Sequence, residues 1–124
     1  MNQRNTLLVG SIFGCVAVAI GAFGAHALKE TLSATGRIDT YELAVKYQFY
    51  HALALLLVGL LMGQFVSKFL KYSAISFCFG IMFFSGSLYM LSVTGQTILG
   101  AVTPIGGLLL IVGWIFLLLG VYKK

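Results

Sequence analysis

The sequence predicts an all-α fold, a polytopic membrane protein with four transmembrane helices in a left-handed bundle and both termini cytoplasmic. Three observations predict it. Of 124 residues, 60% are apolar and 9% charged, against about 25% charged residues in an average soluble domain. Four apolar stretches each match the ~20 residues that carry a helix across a hydrocarbon core about 30 Å thick. The basic residues of alternate connections differ sharply in whether acidic residues accompany them. Four spans and short connections use up the chain, so residues 1–124 form a single membrane domain.

The first span covers about residues 6–28. Arg4, the apolar run and Ala25-His26-Ala27 imitate a signal peptide, but the run is longer than the ~7–15 residues of a secretory core. The second span covers about 47–66 and follows an 18-residue polar connection. There Gly36 suits a left-handed helix end, and Asp39 with Glu42 reads as a capping box, so the second helix begins before the membrane does. Glu42 and Lys46 are spaced as an i,i+4 pair on its wet part. The third span covers about 72–93. The fourth, 104–122, starts on Thr103 as N-cap with Pro104 at the first helical position.

Orientation follows from lysine and arginine in the short loops. Arg4, Lys68, Lys71, Lys123 and Lys124 share one side with no acidic residue, whereas Lys29, Arg37 and Lys46 are balanced by Glu30, Asp39 and Glu42. The first side therefore faces the cytoplasm, where anionic headgroups attract it. The basic pI needs no nucleic-acid partner.

Placed at 100° intervals, the first span shows three stripes. Gly10, Gly14, Ala17, Gly21 and Gly24 form one; Ser11, Cys15, Ala19, Ala22 and His26 form a second of small residues; Val9, Phe13, Val16, Ile20 and Phe23 form a bulky third. Small stripes let backbones approach closely in lipid, so this helix should touch two partners and turn its bulky side outward. Gln48, Ala52, Gly59 and Gly63 mark the seam of the second span, and Ser76, Gly80 and Ser87 that of the third. Gly106, Leu110, Gly113, Leu117 and Gly120 mark the fourth. Near-heptad seams of this kind suit a left-handed crossing of about +20°.

Few residues could carry chemistry. Histidine is the residue type whose ordinary pKa lies near neutrality, and the spans place both His26 and His51 toward the outer leaflet. Ionisable groups in a membrane suggest function, so His26, Tyr47, His51 and Lys29 form the candidate polar or ligand cluster. The alternative is that a histidine bonds a carbonyl or tyrosine hydroxyl and locks two helices. No metal set, cofactor site or nucleophile with its base is evident. Cys15 and Cys78 read as buried free thiols, and Ser85, Ser87 and Ser92 as interhelical glue. Trp114, mid-span, reads as core packing. Tyr41, Tyr47, Phe49 and Tyr50 outside, and Phe65, Phe69, Tyr72 and Tyr122 inside, read as aromatic belts.

Four stretches, Gly21-Ala-Phe-Gly-Ala-His26-Ala-Leu28, Tyr47-Gln-Phe-Tyr-His51-Ala-Leu53, Ser85-Gly-Ser-Leu-Tyr89 and Leu99-Gly-Ala-Val-Thr-Pro104-Ile-Gly-Gly107 with Gly113-Trp114, resemble the small bacterial membrane proteins of domain of unknown function family 423 (DUF423), the YgdD-like proteins. The resemblance implies a multi-span protein of the bacterial inner membrane and supplies no catalytic residue. It sets both histidines inside the matching motifs.

On this reading the protein is a non-enzymatic packing or interaction component, its partners the bilayer and another membrane protein or a second copy. Two alternatives stay open. One is a small transporter or proton-linked channel in which the histidine pair lines an outer entry; the other is a metal- or haem-binding membrane protein.

Overall fold

The computed structural model describes residues 1–122; Lys123 and Lys124, counted above as cytoplasmic charges, lie outside the described residues. The chain runs through α1 (Gln3–His26), α2 (Lys29–Thr35), α3 (Ile38–Leu61), α4 (Lys68–Thr94), a 3-10 turn (Thr97–Ala101) and α5 (Thr103–Tyr122). Four of the helices are long and apolar enough to cross a membrane, the last counted together with the turn before it.

These helices do not close on one another equally. α1 packs on α3, α3 on α4, and α4 on α5, so the middle two each have two long neighbours. Protein covers 44% of the apolar window in both α3 and α4, against 17% in α1 and 22% in the segment ending with α5. Lipid is therefore the main surrounding of the outer helices.

The core sits where α3 and α4 meet. Leu55, Val58, Leu70 and Phe77 are fully buried there, and Leu110 of α5 joins them. The packing works by bulky side chains entering spaces left by glycine. Leu7 lies against Gly59, Leu110 against Gly80, Phe77 against Gly113 and Leu70 against Gly120, while the backbone of Phe84 passes over Gly106. A Cβ at Gly106 would collide with that backbone, so no side chain is tolerable without moving a helix.

The helix ends differ from the sequence expectations in instructive ways. Gly36 does end α2, at φ +69°, a region open to glycine without steric cost. α3 then starts at Ile38, one residue before Asp39, with Arg37 at the cap and no side-chain capping bond, so the Asp39–Glu42 box is not used. Thr103 does not cap α5 either: it is already helical, and its hydroxyl bonds Ser87 Oγ of α4 at 2.7 Å. At α5 the preceding turn supplies what a local cap would have supplied, the Val102 carbonyl oxygen accepting from the Ile105 and Gly106 N–H groups. Gly63 lies past the end of α3 in a turn, facing the Gln3 side chain.

α1 corrects the stripe reading. Gly10, Ala17 and Gly24 are buried on α3, as that stripe predicts. Ser11, Cys15, Ala19, Ala22 and His26, expected to meet a second partner, are all exposed. Val9 and Phe13 of the bulky stripe pack instead on the core. Larger side chains reach across to it and gain dispersion contacts that small ones cannot.

Candidate functional site

His51 lies near the middle of α3 and is 5% exposed. Its ring is enclosed by Tyr47, stacked at 5.9 Å between centroids, by Phe77 at 5.4 Å and by Trp114 edge-on at 5.8 Å. Both ring nitrogens are engaged. The Trp114 indole N–H donates to Nε2 at 3.0 Å. An indole can only donate, so Nε2 must offer a lone pair and the proton resides on Nδ1. That N–H donates to the Tyr47 carbonyl oxygen, one turn back, at 2.8 Å. The geometry thus fits a neutral imidazole whose second bond reaches from α3 to α5. Charging the ring would require breaking the contact with Trp114.

Trp114 is accordingly not core packing: it is 45% exposed, with its N–H turned inward to the histidine. Beside the pair a cleft of about 660 Å3 opens between α3 and α5, bordered by Tyr47, Tyr50, Leu53, Gly107 and Ile111.

The candidate cluster is only partly assembled. Tyr47 and His51 are brought together, but His26 and Lys29 are not with them. Gly24 sits against Tyr41, ten residues before His51 on α3, which is about 15 Å along a helix axis. His26 ends α1 on its exposed side, and Lys29 opens α2.

A second polar group escaped the sequence reading. The Tyr89 hydroxyl of α4 donates to Gln48 Oε1 of α3 at 2.6 Å, and Gln48 Nε2 donates to the Phe13 carbonyl oxygen of α1 at 2.9 Å. Gln48, 3% exposed, thereby ties three helices at one level. Tyr41, read as an interfacial belt residue, is buried over Gly24, and its hydroxyl donates to the Ile20 carbonyl at 2.7 Å. Ser85 bonds the Ala44 carbonyl and Ser73 the Gly113 carbonyl, each across a helix pair. Ser92, expected to do likewise, bonds back to Leu88 within α4, and its own carbonyl accepts from Thr35 of α2. The signal available in the sequence was depth: a glutamine among apolar residues needs partners, because an unpaired amide in hydrocarbon is costly.

Neither thiol belongs to such a group: Cys15 is exposed on α1, not buried as expected, and Cys78 is half-buried. Among the described residues no group of three or more His, Cys, Asp or Glu side chains could hold a metal ion.

Comparison with known proteins agrees with this architecture. A family model described as protein of unknown function (DUF423) matches residues 20–107. A UPF0382 membrane protein of Staphylococcus saprophyticus is 45% identical over 117 residues, covering 94% of this chain and 96% of its own. The UPF0382 inner membrane protein YgdD of Escherichia coli K12 is 36% identical over 125 residues, covering 99% and 93%. No solved structure matches. With four membrane-length helices and relatives matched almost end to end, this chain is a multi-pass membrane protein belonging to the DUF423 family.

Proposed function

We propose that the protein is a non-enzymatic interaction component of the membrane, presenting α1 to a transmembrane helix of a second copy or of another membrane protein. One observation carries the reading. α1 has one long neighbour, α3, and its exposed side carries a column of small side chains, Ser11, Cys15, Ala19 and Ala22, flanked by larger ones such as Ile12, Val18 and Phe23. Helix association in lipid relies on close backbone approach over such residues, since burying apolar surface provides no drive there. The inner-membrane name of the Escherichia coli relative supports the bacterial inner membrane as the location, and no nucleic acid is expected as a partner.

A catalytic or transport role draws less support. His51 spends both nitrogens on helix contacts, and His26 is remote from it. Among the described residues, the side chains that a proton path or a ligand set would need are not brought together.

Cys15 is a native reporter of the exposed face. In membranes carrying C78A protein, mild oxidation should link Cys15 to Cys15 of a second copy, and mass analysis after gentle extraction should find the dimer. A strict monomer, without cross-link and without a co-purifying protein, would overturn the reading.

A further inference from the structure

Two adjoining cavities run along the side of α1 and α3, starting at the end of the molecule that carries Lys29 and Glu42. The first, about 600 Å3, is bounded by Gly24, Ala25, Leu32 and Ile38 as well as by those two. The next, about 460 Å3, continues past Ala22 to Phe49 and Tyr50. They share Gly21, Val45 and Lys46, so together they make one groove. Each falls in the ~300–1,000 Å3 range of ligand sites.

The groove exists because α1 has no bulk here and no second long neighbour. Gly21, Ala22 and Ala25 leave the space that a leucine would fill. Its α3 wall runs from Ile38 to Tyr50, which at 1.5 Å per residue is about 18 Å, close to the ~15 Å depth of one leaflet. The lining is apolar except at the mouth. There stand the Lys29 ammonium and the Glu42 carboxylate, and one helical turn farther along α3, where the two cavities join, the Lys46 ammonium; all three are exposed and none is in an ion pair among the described residues.

An occupant that matches this layout has a hydrocarbon chain of leaflet length, a phosphate and a cation. We propose that the groove binds a phosphatidylethanolamine of the adjoining leaflet. One acyl chain lies along Gly21, Ala22 and Phe49, the phosphate meets Lys29 and Lys46, and the primary ammonium donates to Glu42. A choline headgroup has no N–H to donate to a carboxylate, and phosphatidylglycerol has no cation for it, so the mixed charge at the mouth separates the three.

The full chain is reconstituted in vesicles of equal parts phosphatidylethanolamine, phosphatidylcholine and phosphatidylglycerol with identical acyl chains. It is then extracted in mild detergent, and retained lipids are counted by native mass spectrometry. Phosphatidylethanolamine should be retained several-fold over the other two. A lysine near a lipid phosphate contributes about 1 kcal/mol, about fivefold in affinity, so K29Q/K46Q should weaken retention roughly 25-fold. E42Q should erase the preference over phosphatidylglycerol while leaving phosphatidylglycerol bound. A25F, which fills the groove from an exposed position, should lower retention of all three. The four substituted positions are exposed, so folding is kept. Equal retention of the three lipids, a preference for phosphatidylglycerol, or indifference to K29Q/K46Q would overturn the proposal. Cys15 cross-linking uses none of these side chains, so each result stands without the other.

Discussion

α5 and α1 are both outer helices, and each is laid on its neighbour by a glycine stripe, but the two seams are built to different tolerances. Against α4, the α5 seam is filled along its length: Gly106, Gly113 and Gly120 each face a Phe84, Phe77 or Leu70 group that a Cβ would strike, and Gly80 returns the pattern from α4. Against α3, the α1 seam is tight at Gly24 and close at Gly10 and Gly21, and Leu7 enters the gap at Gly59, but a Cβ at Gly14 would meet Ala52 only at 3.9 Å. α1 is also held by two long side chains of α3, the Tyr41 and Gln48 bonds to its carbonyls, where α4 gives α5 the short ties of Ser73 and Ser87. A steric seam fixes a helix in one register and leaves no spare room. Directed hydrogen bonds fix it at a few levels and leave space between them, and that space is where the groove and the uncovered small face lie.

The contrast can be broken most directly at the glycines. G106L forces α5 off the Phe84 backbone, an overpacking that should cost about 3 kcal/mol or more, whereas G14A should change stability by less than about 0.5 kcal/mol. Reversible unfolding in mixed micelles measures both, and equal effects would remove the distinction between the seams. Next in size is the polar tie. Q48L leaves the Tyr89 hydroxyl unpartnered in a dry interior, removes the second bond to the Phe13 carbonyl oxygen and should cost about 2 kcal/mol. It should loosen α1 before α5, read as faster hydrogen exchange confined to α1. A smaller loss than that of the polar tie is expected for the indole–imidazole bond. W114F should cost about 1 kcal/mol, and a cycle with H51F should return a coupling near the ~0.6 kcal/mol average of interhelical bonds in membranes. A coupling of zero would mean that the contact is incidental to the α3–α5 arrangement.

Much of the fold was legible because lipid imposes simple rules. Apolar runs of sufficient length had to be helices, since backbone groups in hydrocarbon need internal partners. The stripes of α5 and α4 were legible for a related reason: a helix made almost wholly of Leu, Ile, Val and Gly offers only one face where backbones can approach. The candidate site was far less legible. Tyr47 and His51, one turn apart on one helix, had to be close. Pairing His26 with His51 needed the stagger of α1 against α3, which is set where Gly24 meets Tyr41 and not by any local signal. Gln48 was assigned to the right stripe, yet its two partners come from α1 and α4, far away in sequence.

What the sequence by itself determined is the membrane, the number of helices and the glycine faces, because each follows from local composition read at a fixed helical period. Tertiary structure decided which of α1's two small stripes is covered, that Trp114 rather than a tyrosine meets His51, and that Tyr41 is buried over a glycine. Those outcomes depend on whether a particular bulky side chain can reach a particular gap on another helix, a matter of three-dimensional fit that no single stretch of the chain encodes.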